Sequence, residues 1–237
     1  MLGGVTPDAP PAAVPAPVRV RVLIVDDEQL IRSGFRFVLA VNPAIEVVGE
    51  AADGAAAIEL VRAHRPDVVL MDVRMPVMSG PEATRAVVAQ SQSRVLAMTS
   101  IDAEEQLLQM LSAGASGYLL KDESPERIVD AVLRTAEGDT VVSGRSTAQL
   151  VRRAVQSEGG SGRSAALKRI AALTGRERDV AVGVARGDTN QEIGAALHIS
   201  SGTVKTHLEQ VFAKLGVHSR VQVGVILERA GLGPDDL

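Results

Sequence analysis

Five polar residues in the first part of the chain each follow a short hydrophobic run, and together they could perform phosphoryl chemistry. Asp26 and Asp27 follow the first run, Asp72 the third, Thr99 the fourth and Lys121 the fifth. Carboxylate oxygens bind hard cations such as Mg²⁺, and a carboxylate can also act as a nucleophile. An ammonium group offsets negative charge on a phosphoryl group. These residue types therefore indicate a magnesium-dependent phosphoryl site, if the fold brings them together.

The segments that would position these residues alternate between strand and helix. This alternation favours a parallel sheet with helices on both faces, a doubly wound α/β domain. The predicted strands are Val20–Val25, Ile45–Val48, Asp67–Met71, Arg94–Met98 and Gly117–Leu120. The predicted helices are Leu30–Leu39, Ala55–His64, Pro81–Val88, Ala103–Leu111 and Pro125–Ala136. Ligands bind such sheets outside the carboxyl ends of the strands, which is where the five polar residues lie.

The three aspartates meet at one edge if the first and third strands are neighbours. Carboxylates that close raise one another's pKa unless a cation lies among them. Oxygen ligands without His or Cys nearby favour Mg²⁺. A single aspartate at a strand end is usually a helix cap or turn residue, and a single lysine is usually a solvated charge. The interpretation therefore depends on the combination of acids, hydroxyl and lysine in this order.

Residues 19–139 resemble the receiver domain of two-component response regulators, which has a flavodoxin-like fold. The motifs that carry the resemblance are Val25-Asp26-Asp27-Glu28, Met71-Asp72-Val73-Arg74-Met75-Pro76, Met98-Thr99-Ser100 and Gly117-Tyr118-Leu119-Leu120-Lys121. The resemblance implies that Asp72 accepts a phosphoryl group from a sensor histidine kinase. It also implies that Asp26, Asp27 and Asp72 hold Mg²⁺ together with the backbone carbonyl of Arg74.

The same resemblance assigns roles to three further residues. It implies that Lys121 pairs with the phosphoryl group, that Thr99 bonds to it after reorienting, and that Tyr118 is the switch aromatic residue. Two positions depart from the family pattern, because Val77 stands where Gly is common and Ser79 where Asp is frequent. Both flank the site without supplying its chemistry, so they affect the expected loop shape and phosphate lifetime.

The C-terminal part of the chain has the pattern of a helix-turn-helix. Thr174 and Glu177 form a predicted capping box, and Gly187 is a natural end for the helix that follows. A second helix is predicted over Asn190–Leu197, and a third begins at a cap on Ser200 or Ser201. The third helix has a predicted buried face at Val204, Leu208, Val211, Phe212 and Leu215. Its opposite, polar face carries Thr203, Lys205, Thr206, His207, Gln210 and Lys214.

Residues 173–223 also resemble the C-terminal domain of the NarL/FixJ (LuxR-type) regulators. The marks are Leu173-Thr174-Gly175-Arg176-Glu177, Asn190-Gln191-Glu192-Ile193, Thr203-Val204-Lys205-Thr206-His207, Lys214-Leu215-Gly216-Val217, and Arg220 with Gln222. The resemblance implies a recognition helix at about 201–215 that enters the major groove of promoter DNA. The implied DNA contacts are Thr203, Val204, Lys205, His207 and Lys214. The last helix, Arg220–Glu228, is a candidate dimer surface.

Composition and charge fit two domains with different partners. Residues 18–139 carry 12 Lys and Arg against 19 Asp and Glu, whereas residues 140–163 carry 4 against 1 and residues 164–237 carry 9 against 8. The absence of cysteine excludes disulfides, thiol nucleophiles and cysteine-bound metals. No apolar run is long enough to span a bilayer, and the N-terminus lacks a secretion signal, so we expect a cytoplasmic protein. The predicted divisions are a flexible extension (1–18), the receiver domain (19–139), a linker (140–166) with a short helix over Thr147–Gln156, and the DNA-binding domain (167–232).

We therefore expect a transcription regulator that is controlled by phosphorylation of Asp72 and that forms a homodimer when phosphorylated. It would not be an enzyme beyond slow self-dephosphorylation. Three alternatives remain open at this point. They are a regulator that binds DNA constitutively, an aspartyl-phosphate phosphatase or phosphotransferase, and a ligand-sensing regulator. The phosphatase usually needs a second acid or base two residues after the nucleophile, where this chain has Arg74, and the ligand sensor would need an apolar, aromatic pocket.

Overall fold

The computed structural model describes residues 19–99, 104–139 and 162–232, with the backbone alone at 104 and 105. The N-terminal domain has a five-stranded parallel sheet in the order β2-β1-β3-β4-β5. Its strands are β1 Val20–Val25, β2 Ile45–Ala51, β3 Val68–Asp72, β4 Arg94–Thr99 and β5 Gly117–Leu120. The predicted doubly wound α/β fold is confirmed, and β1 and β3 are neighbours.

Helices cover both faces of this sheet. They are α1 Gln29–Ala40, α2 Gly54–His64, α3 Gly80–Gln90, α4 Glu104–Ala113 and α5 Pro125–Glu137. One core lies between the sheet and α1 and α5, and a second lies between the sheet and α2, α3 and α4. Because both faces are buried, the strands are continuous apolar runs rather than alternating ones, as in β3, where every residue is buried.

Local signals explain where α5 begins and ends. The Ser124 hydroxyl accepts a hydrogen bond from the backbone N–H of Arg127, and Pro125 occupies the first turn. Gly138 then ends the helix in the left-handed conformation. Most predicted boundaries differ from the structure by one or two residues. Strand β2 is longer than predicted, because its last residues, Gly49 to Ala51, pair with β1 although they lack a hydrophobic pattern.

The C-terminal domain contains five helices within the described residues 162–232. They are α6 Arg163–Ala171, α7 Gly175–Arg186, α8 Asn190–Leu197, α9 Ser201–Leu215 and α10 Arg220–Ala230. Helix α6 begins inside the predicted linker and buries Ala166 and Ile170 in the domain core. The helix predicted over Thr147–Gln156 and the extension 1–18 lie outside the described residues. None of the described helices is long and apolar enough to cross a membrane.

Candidate functional site

The strand register brings the predicted phosphoryl residues to one edge of the sheet. Val25, the last residue of β1, lies beside Met71, so Asp26 follows β1 next to Asp72 at the end of β3. On the other side of β3, Asp72 lies beside Met98 and is followed across β4 by Thr99. Lys121 directly follows β5, and its backbone N–H donates to the carbonyl of Thr99 at 2.9 Å. Parallel strands therefore place all these residues at their common carboxyl edge.

Within this edge the side chains of Asp26, Asp27, Asp72 and Lys121 converge. The three aspartates each offer a carboxylate oxygen, and these oxygens lie within 4.8 Å of one another. The Lys121 ammonium lies 2.7 Å from Oδ2 of Asp26 and 2.9 Å from Oδ1 of Asp72. Asp26 is 0% and Asp72 6% exposed, whereas Asp27 is exposed. The cluster is therefore a buried acidic site with one solvent-facing carboxylate and one fixed cation.

Burial and the neighbouring charges have opposite effects on the pKa values of Asp72 and Lys121. Burial raises the pKa of the Asp72 carboxyl, and its hydrogen bond and attraction to Lys121 only partly oppose the increase. Burial alone would lower the pKa of Lys121, but the hydrogen bonds to Asp26 and Asp72 outweigh it and raise the pKa. Lys121 is therefore held as an ammonium, and one ammonium does not fully offset the burial of the Asp72 carboxylate.

The donor set fits a hard divalent cation. Three carboxylates within one ion's reach supply the oxygen ligands that Mg²⁺ prefers, and the exposed Asp27 leaves a side open for water. Arg74, the other predicted ligand through its carbonyl, lies in the exposed loop two residues after Asp72. Its role as a ligand stays a prediction.

Arg32 on α1 holds the loop that carries the acid pair. Its Nη1 donates to the backbone carbonyl of Asp26 at 2.7 Å and to that of Asp27 at 3.2 Å. Its Nε lies 3.5 Å from a carboxylate oxygen of Glu50 at the end of β2. The sequence pattern does not predict this role, since an arginine in the first turn of a helix is ordinarily solvated. A basic residue on the turn after two adjacent acids is the signal that could have indicated it.

The loop after Asp72 is shaped by two unusual positions. Val77 has a φ of 66° and is 88% exposed, so a β-branched residue occupies the left-handed region that favours glycine. At the end of the loop, a Cβ built on Gly80 would lie 2.1 Å from the carbonyl oxygen of Asp72. Only glycine therefore lets α3 begin this close to the acceptor. At the start of α3, the N–H and the hydroxyl of Ser79 both donate to the Glu82 carboxylate.

The two predicted switch residues lie in the interior of the receiver domain, on the neighbouring strands β4 and β5. Thr99 is the last residue of β4 and is 4% exposed. Tyr118 on β5 is equally buried and packs in the core beneath α2, α3 and α4. Thr99 is bonded through its carbonyl to the N–H of Lys121, and the role of both residues as a switch stays a prediction.

The C-terminal helices form the predicted helix-turn-helix. Both predicted caps are present, since Thr174 and Glu177 bond reciprocally and the Ser200 hydroxyl accepts from the N–H of Thr203 at 3.1 Å. Helix α8 begins with a further capping box between Thr189 and Glu192. The turn between α8 and α9 is tight, because a Cβ on Gly194 would lie 2.7 Å from the carbonyl oxygen of Ile199.

Helix α9 presents part of its predicted DNA-binding face to solvent. Thr203, Lys205 and Thr206 are exposed, and His207 is half-buried. Val204 is fully buried in the domain core, so its side chain lies outside this face. The Lys214 ammonium lies 2.6 Å from Oε2 of Glu177, the capping-box carboxylate of α7. Lys214 is also exposed, at the C-terminal end of α9, whereas the other exposed candidates, Thr203, Lys205 and Thr206, lie in its N-terminal half.

We expect Lys214→Ala to reduce the stability of the C-terminal domain more than its affinity for DNA. The substitution removes the ion pair that joins α9 to the start of α7 and leaves the Glu177 carboxylate, 6% exposed, without its cation. Thermal unfolding should shift down by several degrees, and duplex affinity measured well below that transition should change less than about twofold. A large loss of affinity with an unchanged transition would instead place Lys214 on the DNA.

Two family models match the two domains. The response regulator receiver domain matches residues 22–133, and the family described as bacterial regulatory proteins, luxR family, matches residues 171–227. These two matches correspond to the sheet domain with its acidic cluster and to helices α7 to α10.

Full-length relatives and a solved structure are similar to the chain. A transcriptional regulatory protein named NarL from Mycobacterium tuberculosis is 40% identical over 207 residues, covering 87% of this chain and 92% of the relative. The nitrate/nitrite response regulator NarP of Escherichia coli is 36% identical over 214 residues, covering 90% and 96%. The solved receiver domain of the M. tuberculosis NarL is 46% identical, with a TM-score of 0.50, and covers 52% of this chain and 99% of that one. The chain therefore belongs to the response regulators that join a receiver domain to a LuxR-type DNA-binding domain and act in transcription regulation.

Proposed function

We propose that this response regulator accepts a phosphoryl group on Asp72 from a sensor histidine kinase and that the modification controls its binding to promoter DNA. The single observation that supports the proposal most is the position of the Lys121 ammonium between Asp26 and Asp72, with Asp27 exposed at the same edge. A nucleophilic carboxylate, further cation ligands and a fixed ammonium are the components that phosphoryl transfer to an aspartate needs.

In the proposed step, one carboxylate oxygen of Asp72 attacks the phosphorus of a phosphohistidine. The new P–O bond forms as the P–N bond breaks, and the imidazole of the kinase leaves with the electron pair of that bond. Asp26, Asp27 and Asp72 would hold Mg²⁺, which would neutralise charge on the transferring group. Lys121 would turn from Asp72 toward the equatorial oxygens, where its charge offsets theirs. Arg32 would keep the acid pair in place through the two loop carbonyls.

The proposed readout starts at Thr99 and Tyr118. The phosphoryl group adds up to about two negative charges beside Lys121. The Thr99 hydroxyl would move to donate a hydrogen bond to a phosphoryl oxygen. Tyr118, on the neighbouring strand, would then adopt a different side-chain conformation. Such a change alters function only if it shifts an equilibrium between two states. In this chain the proposed equilibria are between docked and released domains and between monomer and dimer. A dimer would place two α9 helices in successive major grooves of a pseudo-palindromic site.

In this proposal the chain is a phosphoacceptor and not an enzyme, apart from slow self-dephosphorylation. Position 74, two residues past the acceptor, carries Arg and supplies no second acid or base for rapid turnover. The alternative is a regulator that binds DNA constitutively, and the exposed face of α9 is the observation that favours it.

The test incubates the full chain with a small phosphodonor such as acetyl phosphate, with Mg²⁺ or with EDTA. We expect one acid-stable, base-labile phosphoryl group per chain only when Mg²⁺ is present, together with tighter binding to promoter DNA. Release of many equivalents of phosphate would favour an enzyme. Phosphorylation without any change in DNA affinity would favour the constitutive regulator.

A further inference from the structure

The chain has few sulfur atoms that an oxidant could reach, and two of them flank the loop after Asp72. Cysteine is absent from the sequence, so methionine is the only residue with a sulfur side chain. Within the described residues, three methionines are 0% exposed, namely Met71, Met98 and Met110. The other two, Met75 and Met78, are half-buried and lie in the loop between β3 and α3. In the described part of the chain, solvent therefore reaches methionine only beside Asp72.

Val77, between these two methionines, has a strained backbone. The N–H of Met78 donates to the carbonyl of Pro76 at 2.7 Å, which closes a three-residue turn around Val77. With a φ of 66° at its centre, this is the strained form of the γ-turn, and a β-branched residue is an outlier there. The Val77 side chain is exposed, so its own packing does not offset the strain. Contacts on either side of Val77 must therefore hold the turn in place.

The two methionines supply such contacts. Both pack against the core that lies between the sheet and α2, α3 and α4. Met78 lies tightly against the start of α2, since a Cβ built on Gly54 would lie 2.9 Å from its Cγ and from its carbonyl oxygen. After the turn, the N–H of Gly80 donates to the carbonyl of Val73 at 3.1 Å and closes the loop. Met75 and Met78 therefore fix both ends of a turn whose own backbone is strained.

We propose that Met75 and Met78 form an oxidation-sensitive site, and that their conversion to methionine sulfoxide releases this loop from the core of the receiver domain. The class of oxidant is a peroxide. The sulfur lone pair attacks one peroxide oxygen, the O–O bond breaks, and the second oxygen takes the proton of the first and leaves as water. The thioether is thus oxidised and the peroxide reduced. A methionine sulfoxide reductase reverses the change with two thiols, which become a disulfide as the sulfoxide oxygen leaves as water.

A sulfoxide fits poorly in the place of the packed thioether. Its oxygen is polar, and burying a polar group without a hydrogen-bond partner is unfavourable. The space around Met78 is narrow, because a methyl group on Gly54 would already collide with it and with Ala83. The sulfoxide oxygen is therefore stable only in water, and the strain at Val77 favours the same outward movement of the loop.

Release of the loop would change the surroundings of Asp72. Helix α3 begins directly against the carbonyl of this residue, at Gly80, and the loop connects the two. Arg74, the expected cation ligand, directly precedes Met75. Oxidation should therefore reduce phosphoryl transfer to Asp72. This consequence rests on the proposed function, whereas the oxidation site and the release of the loop do not.

The test follows the loop by amide hydrogen exchange in the full chain after treatment with hydrogen peroxide, without phosphodonor or DNA. Peptide mass spectrometry should find oxidation at Met75 and Met78 but not at the three buried methionines. Exchange in residues 73–80, which include the bonded N–H groups of Met78 and Gly80, should become at least about tenfold faster when the strain is no longer opposed. A methionine sulfoxide reductase with dithiothreitol should restore the slow exchange.

The double variant Met75→Leu and Met78→Leu is the matched control, because leucine has nearly the same volume as methionine and no sulfur. Its exchange should be equally slow before and after peroxide treatment. Val77→Gly tests the contribution of the strain, since glycine adopts a positive φ without steric cost. In this variant the ratio of exchange rates after and before oxidation should be smaller than in the parent.

Three results would overturn the proposal. They are the absence of oxidation at both loop methionines, oxidation of both with unchanged exchange, and an equal increase of exchange in the double leucine variant. Phosphoryl incorporation from acetyl phosphate is then measured separately, before and after oxidation. Faster exchange in an oxidised protein whose untreated form never gains a phosphoryl group would support the oxidation site and contradict the proposed function.

Discussion

Asp72→Asn should abolish phosphoryl incorporation from a small phosphodonor and, with it, every phosphodonor-dependent gain in DNA affinity. The amide keeps the size and the hydrogen-bonding reach of the carboxylate, but it is not a nucleophile toward phosphorus. The substitution also removes one of two buried negative charges that share Lys121. Since burial already raises the pKa of Asp72, the variant should unfold at the same or a higher temperature. Intact mass measurement checks the loss of phosphoryl incorporation, and titration with duplex DNA checks the loss of the gain in affinity.

Asp122→Asn is a suitable control for this experiment. Asp122 is exposed, lies next to Lys121 in the chain, and is outside the cluster formed by the three aspartates. The same chemical change at this position should leave both phosphoryl incorporation and the gain in affinity intact. If Asp72→Asn still gained one phosphoryl group per chain, the acceptor would be another residue.

Lys205→Ala should weaken binding to promoter DNA by about tenfold or more. Lys205 is exposed on the N-terminal half of α9, where side chains of a recognition helix reach base edges and phosphates. If it contacts a phosphate, the slope of log affinity against log salt should also decrease by about one. Titrations of the phosphorylated protein at several salt concentrations measure both quantities.

Lys168→Ala provides the matched control for Lys205→Ala. Lys168 is an exposed lysine of the same domain, but it lies on α6, away from the helix-turn-helix. Removing it changes the net charge by the same amount, so a general electrostatic effect would appear in both variants. An equal loss of affinity in both variants would show that α9 does not bind DNA as a recognition helix.

Much of the phosphoryl site could be predicted from the sequence, because its residues occupy strand ends. In a parallel sheet, the residues that follow β1, β3, β4 and β5 share one edge, so the order of the polar residues along the chain is enough to place them together. The caps at Ser124, Thr174 and Ser200 are equally local, since each depends on a side chain and a backbone N–H three residues away.

Contacts between elements that lie far apart in the sequence could not be predicted from such local patterns. The role of Arg32 depends on how α1 packs over the loop of Asp26 and Asp27, and the partner of Lys214 is a carboxylate 37 residues away. The junction of Asp139 with Arg220 spans 81 residues and two domains. Helical spacing alone also placed Val204 on the buried face of α9, in agreement with the structure, whereas the family resemblance placed it on DNA.

The phosphoryl site and the side of the receiver domain that faces the C-terminal domain lie at opposite edges of the same sheet. Asp72 ends β3 at the carboxyl edge, whereas Arg94 at the start of β4 borders the cleft to the C-terminal domain. Strands of this length separate these edges by about 15 to 20 Å, so phosphorylation could influence docking only through elements that span the sheet. Helix α5 is one such element, because it begins four residues after Lys121 and the carbonyl of Ala136 near its end accepts a hydrogen bond from Arg94.

Mapping the modified residue tests the central assignment most directly. The protein is phosphorylated with acetyl phosphate and Mg²⁺, the acyl phosphate is reduced with borohydride, and the digested peptides are sequenced by mass spectrometry. We predict homoserine at position 72 as the sole new residue, and none in protein treated with EDTA. Reduction at Asp26 or Asp27, or a phosphoryl group that resists borohydride and base, would contradict a phosphoacceptor at Asp72.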